Sequence, residues 1–160
     1  MLCYHFICRE EGISLKSVRT LEEDTFEKVN CVSIGKLNKD VINFLINKKK
    51  ELNVILTDEN DIIFWKDRVK HTQKHLNDFT SNDEYNYCFK NIPSIISDPD
   101  YISIHPKDHS ISFIKDYKSH TSVAVRVSST GKMSYRTMYP LRDSQLNNYL
   151  KNGRAWKYPK

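Results

Sequence analysis

Two histidines four residues apart, His71 and His75, are the first residues in this sequence whose type and spacing could do chemistry. Lys115, Thr137 and a set of neighbouring tyrosines are the others. An imidazole titrates at about 6.5, so His75 is able to give or take a proton at neutral pH. Lys115 alternates with Ile111, Phe113 and Tyr117, which places an ammonium on the apolar face of a strand, while Ser110, Ser112 and Asp116 point the other way. Such a lysine either snorkels at the end of the sheet or meets an anion. Met133, Tyr135, Thr137 and Tyr139 share one face of a later strand, and Lys132, Ser134 and Arg136 the other. If the first set faces the same way as Lys115, then Lys115, Thr137 and one or two tyrosine hydroxyls converge. That grouping would make a phosphate pocket, with an ammonium to neutralise charge and hydroxyls to orient oxygens. The alternative is an ordinary Thr/Tyr cross-strand ladder.

A proton shuttle beside a phosphate pocket suits RNA, whose ribose 2′-hydroxyl is a built-in nucleophile. The protein then needs only to move protons and stabilise a crowded phosphorane. DNA lacks that hydroxyl and would be left intact. His71 and His75 have the i, i+4 spacing of metal ligands, but no Glu stands between them in the H-E-x-x-H sense and no third ligand is evident, so neither a metal nor a cofactor is expected. The sequence contains no phosphate-cradling glycine loop, no G-x-S-x-G and no carboxylate cluster for two-metal chemistry.

The charge distribution supports a phosphate-bearing partner. Residues 101–160 hold eleven Lys and Arg against Asp108, Asp116 and Asp143, a balance of +8 within a chain whose net charge is +5. Positive charge gathered on one part of a fold steers polyanions and releases their counterions on binding. The plain alternative is a solvated basic surface. No stretch approaches the roughly 18 apolar residues of a membrane helix, and the N-terminus lacks the pattern of a signal peptide, so a cytoplasmic protein is expected. Cys3, Cys8, Cys31 and Cys88 form no C-x-x-C pair and are expected to be free buried thiols.

The elements that must position these residues can be read from periodicity. The 160 residues, 39% of them hydrophobic, suit one domain with its own core. Leu2 to Cys8 reads as a strand, Leu21 to Val29 as a charged helix, and Val32 to Gly35 as a strand ending in a glycine turn. A helix follows from Asn38, with Val41, Phe44, Leu45 and the stem of Lys48 on one face, and Val54 to Thr57 reads as a buried strand. The strongest helical pattern starts at Thr57 or Asp58 and carries Ile62, Trp65, Val69 and Leu76 towards Phe79. Another helix spans about Asp83 to Ser94, breaking near Pro93 and at Asp98-Pro99-Asp100. From Tyr101 the period changes to 2, giving strands over 101–105, 110–117, 121–128 and 132–139, and a helix from Ser144 to Lys151 closes the pattern.

The order of these segments carries a resemblance. Val32-Ser33-Ile34-Gly35-Lys36-Leu37, Val54-Ile55-Leu56-Thr57, the helix ending Val69-Lys70-His71-Thr72-Gln73-Lys74-His75, and the turn Ile95-Ile96-Ser97-Asp98-Pro99-Asp100-Tyr101-Ile102 come first. Ser112-Phe113-Ile114-Lys115, Val123-Ala124-Val125 and Ser134-Tyr135-Arg136-Thr137 follow. Together, over roughly residues 30 to 155, they resemble the phage-type nucleases of the Barnase/EndoU/colicin/RelE-like superfamily. The resemblance implies an α+β fold in which N-terminal helices pack on a four-stranded antiparallel sheet with a C-terminal helix. It divides the chain into residues 1–30, an N-terminal elaboration of open role, and 31–160, the nuclease domain. It further implies a metal-independent endoribonuclease of phage or toxin type, with His75, Lys115, Thr137 and Arg136 in the chemistry. His71, Tyr117, Arg126, Ser134, Tyr135 and Tyr139 are the residues expected to contact RNA.

RNA is therefore the expected partner, an inhibitor or immunity protein a second one, and no membrane association is expected. Two other readings use the same basic sheet. One is a non-catalytic RNA-binding or host-interaction protein, which would form no cleavage product. The other is a protein whose basic face meets an acidic protein, which would show no salt-sensitive RNA affinity.

Overall fold

The computed structural model describes residues 15–49 and 51–160. The strand expected at Leu2 to Cys8 lies outside the described residues. Strand β1 (Cys31–Lys36) is buried over its first four residues. Helix α1 (Lys39–Lys48) starts where the Asn38 side chain accepts a hydrogen bond from the Asp40 amide at 2.7 Å. Its buried residues are Val41 and Leu45, while the Lys48 ammonium sits over the Phe44 ring. Both elements form as the sequence predicts.

The next segment does not. Val54 to Thr57 is not a strand, and Asp61–Trp65 forms strand β2 inside the stretch expected to be helical. Thr57 accepts from the Glu59 amide and makes a local turn in place of a helix cap. The run Ile62-Ile63-Phe64 fits a pleated, buried site, where Phe64 stacks on Tyr135 with centroids 4.1 Å apart. Burial between two partner strands outweighs a helical spacing that Ile62, Trp65 and Val69 also satisfy. Helix α2 is accordingly short (Asp67–Gln73) and is followed by a 3₁₀ turn (Leu76–Asp78). The helix expected at Leu21 to Val29 is a pair of turns, with Thr25 bonded to Glu22 and Glu27 to Asp24, and Leu21 and Phe26 are buried in the main core.

Helix α3 (Asn82–Lys90), capped by Ser81, and helix α4 (Ile92–Ser97), with Pro93 in its first turn, divide the helical stretch expected there. Strands β3 (Tyr101–Ile104), β4 (Ile111–Asp116), β5 (His120–Val127) and β6 (Met133–Leu141) form the antiparallel meander that alternation predicts. Helix α5 (Asp143–Lys151) follows, then a short strand β7 (Ala155–Lys157) that the sequence did not reveal.

The expected four-stranded antiparallel sheet is corrected to a mixed sheet that has seven strands among the described residues, ordered β1-β2-β6-β5-β4-β3-β7. The meander is its middle, the hairpin of β1 and β2 joins through a parallel pairing of β2 with β6, and β7 adds to β3. The fold remains α+β. One face carries the main core, in which α1, α3 and α4 meet the sheet through residues such as Leu45, Cys88, Ile95, Phe113, Val123 and Met138. On the other face α5 covers a smaller cluster of Ile114, Leu141 and Leu146. Cys88 is a free buried thiol as expected, whereas Cys31 is disulfide-bonded, so the expectation of free thiols throughout does not hold. Among the described residues, no helix is long and apolar enough to cross a membrane.

Candidate active site

Strand parity fails at one place, and that place decides the site. Between Val125↔Tyr135 and Ala124↔Thr137 the pairing of β5 with β6 shifts by one residue, so Arg136 is an extra residue in β6. Met133 and Tyr135 therefore face the main core, while Thr137 and Tyr139 face the opposite side with Ala124 and Ser122. Lys115 pairs with Thr121, three residues along β4 from Ser112, which pairs with Ala124. Lys115 and Thr137 thus lie on opposite faces of the sheet, and the pocket predicted from their convergence does not form.

Lys115 has other partners. Its ammonium donates to the Asp98 carbonyl at 2.8 Å and to the Asp98 carboxylate at 2.9 Å, with Asp100 at 3.6 Å. Hydrogen bonds from Lys115 and then Lys160 hold Asp98 below its ordinary value. Tyr135 is buried, and its hydroxyl shares a hydrogen bond with Thr72 at 2.6 Å. Burial pushes its phenol far above the ordinary range. Tyr117 packs edge-on against Tyr87, beside the main core.

On the face that carries Thr137, a row of small side chains crosses the sheet between rows of larger ones, and this strip is the trough of the candidate site. Ala155, Ser103, Ser112, Ala124 and Thr137 stand in register across five strands, so its floor is built of small and hydroxyl side chains. On one side runs a row of Tyr101, Ile114, Ser122 and Tyr139, and on the other Arg126 beside Ser134. Burial raises the Tyr139 phenol above its ordinary value although Ser122, Arg154 and Ser112 favour its ionised form, so Tyr139 remains a proton donor at neutral pH. Among the described residues, Thr137 Oγ1 and Arg154 Nε are buried without a hydrogen-bond partner, and Ser122 Oγ has none beyond the Tyr139 phenol. Unsatisfied polar atoms are costly inside a protein, and gathered on one face they mark a place for a ligand.

Beyond its two rungs with β2, strand β6 runs beside α2, which brings Thr72 to Tyr135 and His75 to Tyr139. The His75 and Tyr139 rings are 5.9 Å apart between centroids. Asp78 accepts or shares a proton at His75 Nδ1 over 2.9 Å, which leaves Nε2 for another partner. Around this corner Arg68, Arg126 and Arg136 gather, with Asp108 as the carboxylate acting on Arg136. Burial, then Arg68 and Arg126, hold Arg136 below the ordinary arginine value, with only Asp108 opposing. Burial, then Arg68, Lys74, His75 and Arg136, lower His71. Like charges held this close are favourable sites for an anion.

Of the residues expected from sequence, His75, Thr137, Arg136, Arg126, Ser134 and Tyr139 are brought to this trough or its rim, with His71 one helical turn away. Lys115, Tyr117 and Tyr135 are not. Sequence reasoning missed Ser112, Ser122, Asp78 and Arg154. The two serines had a signal, since each is a hydroxyl flanked by buried residues within its strand. A shallow depression along α5, lined by Ser144, Asn147, Asn148, Leu150 and Lys151, offers no group that moves a proton at neutral pH. Among the described residues, no three His, Cys, Asp or Glu side chains group as a metal site.

No curated protein and no solved structure matches this chain. Residues 39–148 match the family described as phage-Barnase-EndoU-ColicinE5/D-RelE like nuclease3, a stretch that takes in His75, Arg136, Thr137 and Tyr139, and the chain belongs to that family of nucleases.

Proposed function

We propose that this nuclease cleaves RNA by internal transesterification in the trough. The observation that carries this reading is His75, backed by Asp78 at 2.9 Å and facing Tyr139 at 5.9 Å, on the rim of a cluster of arginines. In this reading His75 Nε2 takes the proton of the ribose 2′-hydroxyl as its oxygen attacks the adjacent phosphorus. Arg136 and the Thr137 hydroxyl meet the charge that grows on the phosphorane oxygens. The P–O5′ bond breaks, and the departing 5′-oxygen receives a proton from Tyr139 or from water. The products are a 2′,3′-cyclic phosphate and a 5′-hydroxyl, so one bond forms, one breaks and one proton is relayed.

The reaction needs no metal, so the test is incubation of the purified chain with RNA in EDTA, followed by analysis of the product ends. Cyclic phosphate termini are the expected result. Binding without cleavage would instead favour a non-catalytic RNA-binding protein, and cleavage of an all-2′-deoxy strand would overturn the mechanism.

A further inference from the structure

Arg154, which enters β7, lies beyond the matched stretch and outside the chemistry assigned above. Its guanidinium carbon sits 3.9 Å from the centroid of the Tyr149 ring, which fixes the planar group by stacking. Its backbone is fixed as well, since its amide donates to the Tyr149 carbonyl at 2.9 Å and its carbonyl accepts from Ile104 at 3.1 Å. Tyr149 belongs to the apolar cluster under α5 that also contains Tyr139, and Arg154 acts electrostatically on Tyr139. Arg154 Nε is buried without a partner, and among the described residues no carboxylate pairs with this side chain. A guanidinium offers five donors and no acceptor, so one that is preordered, part-buried and unpaired is suited to an oxyanion.

We propose that Arg154, held on Tyr149, is a phosphate anchor of the trough that takes a backbone phosphate of the RNA, with Tyr149 as its positioning residue. The assignment rests on the reading of the trough as an RNA site. Arg136 on β6 and Arg154 before β7 stem from backbones four strand spacings apart, about 19 Å. The row of small residues is thus bracketed by a cation at each end, Arg136 at β6 and Arg154 at β7.

The test uses a mixed-sequence single-stranded RNA, to follow cleavage, and its all-2′-deoxy counterpart, to follow binding without turnover. Arg154→Gln is expected to weaken binding about tenfold and to reduce the slope of log affinity against log salt by about 0.7, the share of one phosphate on a single strand. A merely structural role would leave that slope unchanged. Tyr149→Phe keeps the stacking ring and should bind as the wild type does, whereas Tyr149→Leu should bind several-fold more weakly with the slope retained. Wild-type affinity and slope in Arg154→Gln, while the wild type cleaves RNA, would overturn the anchor alone. Absence of RNA cleavage by the wild type, with the slope still reduced in Arg154→Gln, would overturn the proposed reaction and leave the anchor standing. Should Arg154→Gln not fold, Arg154→Lys carries the same test: it loses the planar fork, and unchanged affinity would overturn the proposal.

Discussion

His75 and Tyr139 face each other at 5.9 Å, one from the turn after α2 and the other from the part of β6 that extends beyond its pairing with β2. If His75 moves the proton, His75→Ala lowers single-turnover cleavage on the order of 10²-fold or more while leaving affinity for a 2′-deoxy strand nearly unchanged. His71→Ala, on the helix α2 that precedes His75, is the control and should reduce turnover far less. Equal losses in the two variants would assign the effect to helix stability.

Thr137 separates activity from stability. Its Oγ1 is buried without a partner, so Thr137→Val exchanges an unsatisfied hydroxyl for a methyl group of similar size. Stability should be unchanged or rise by up to about 1 kcal/mol in urea titration, while cleavage falls about tenfold or more. A variant that is both less stable and fully active would contradict the assignment.

Lys115→Ala should show the opposite pattern. The side chain is tied to Asp98 and Asp100 on the far face, and Lys160 pairs with the same two carboxylates at 3.1 and 2.9 Å. Because Asp98 is largely solvent-exposed and Lys160 remains, the loss should be about 1 kcal/mol or less, read as a lower urea midpoint with cleavage unchanged. A large fall in turnover at constant stability would return Lys115 to the chemistry.

His120 predicts a pH dependence of the fold. Its two nitrogens face Asp116 at 2.5 Å and Asp143 at 2.6 Å, which ties β5 to the first residue of α5. Burial works to lower its pKa, but the two carboxylates override that and raise it above the ordinary histidine value. The folded value therefore exceeds the unfolded one. The stabilisation is fully present below about 6.5 and is lost as pH rises through the folded value. The melting temperature of the wild type should exceed that of His120→Gln at about pH 6, and the two should converge at alkaline pH. A constant difference across that range would remove His120 from the linkage.

The meander from Tyr101 to Leu141 was legible because each strand alternates and turn residues separate the strands. Strand β2 was not. Ile62, Trp65 and Val69 satisfy a helical spacing, and only the neighbours Val32 and Met133 decide the matter. Strand β7 is three residues long and exists through its pairing with β3, which leaves no periodic trace. In the site, His75 and Arg136 were legible by residue type and order. The placement of Thr137 opposite Lys115 was not, because counting in twos from Met133 cannot register the extra residue at Arg136.

The short parallel pairing of β2 with β6 also bears on how the molecule comes into being. Strands β3 to β6 join neighbours through brief turns, whereas β2 finds β6 across a long separation, as Asn60 and Gly131 do when they hydrogen-bond across 71 residues. Distant closures carry a larger entropic cost and form more slowly than local ones. Apart from Ala155 on β7, the trough's floor belongs to the quickly closing part of the chain and His75 to the part that must arrive from afar. Newly made chains would then carry the floor before the proton-moving group, and catalytic competence would be among the last properties acquired on folding.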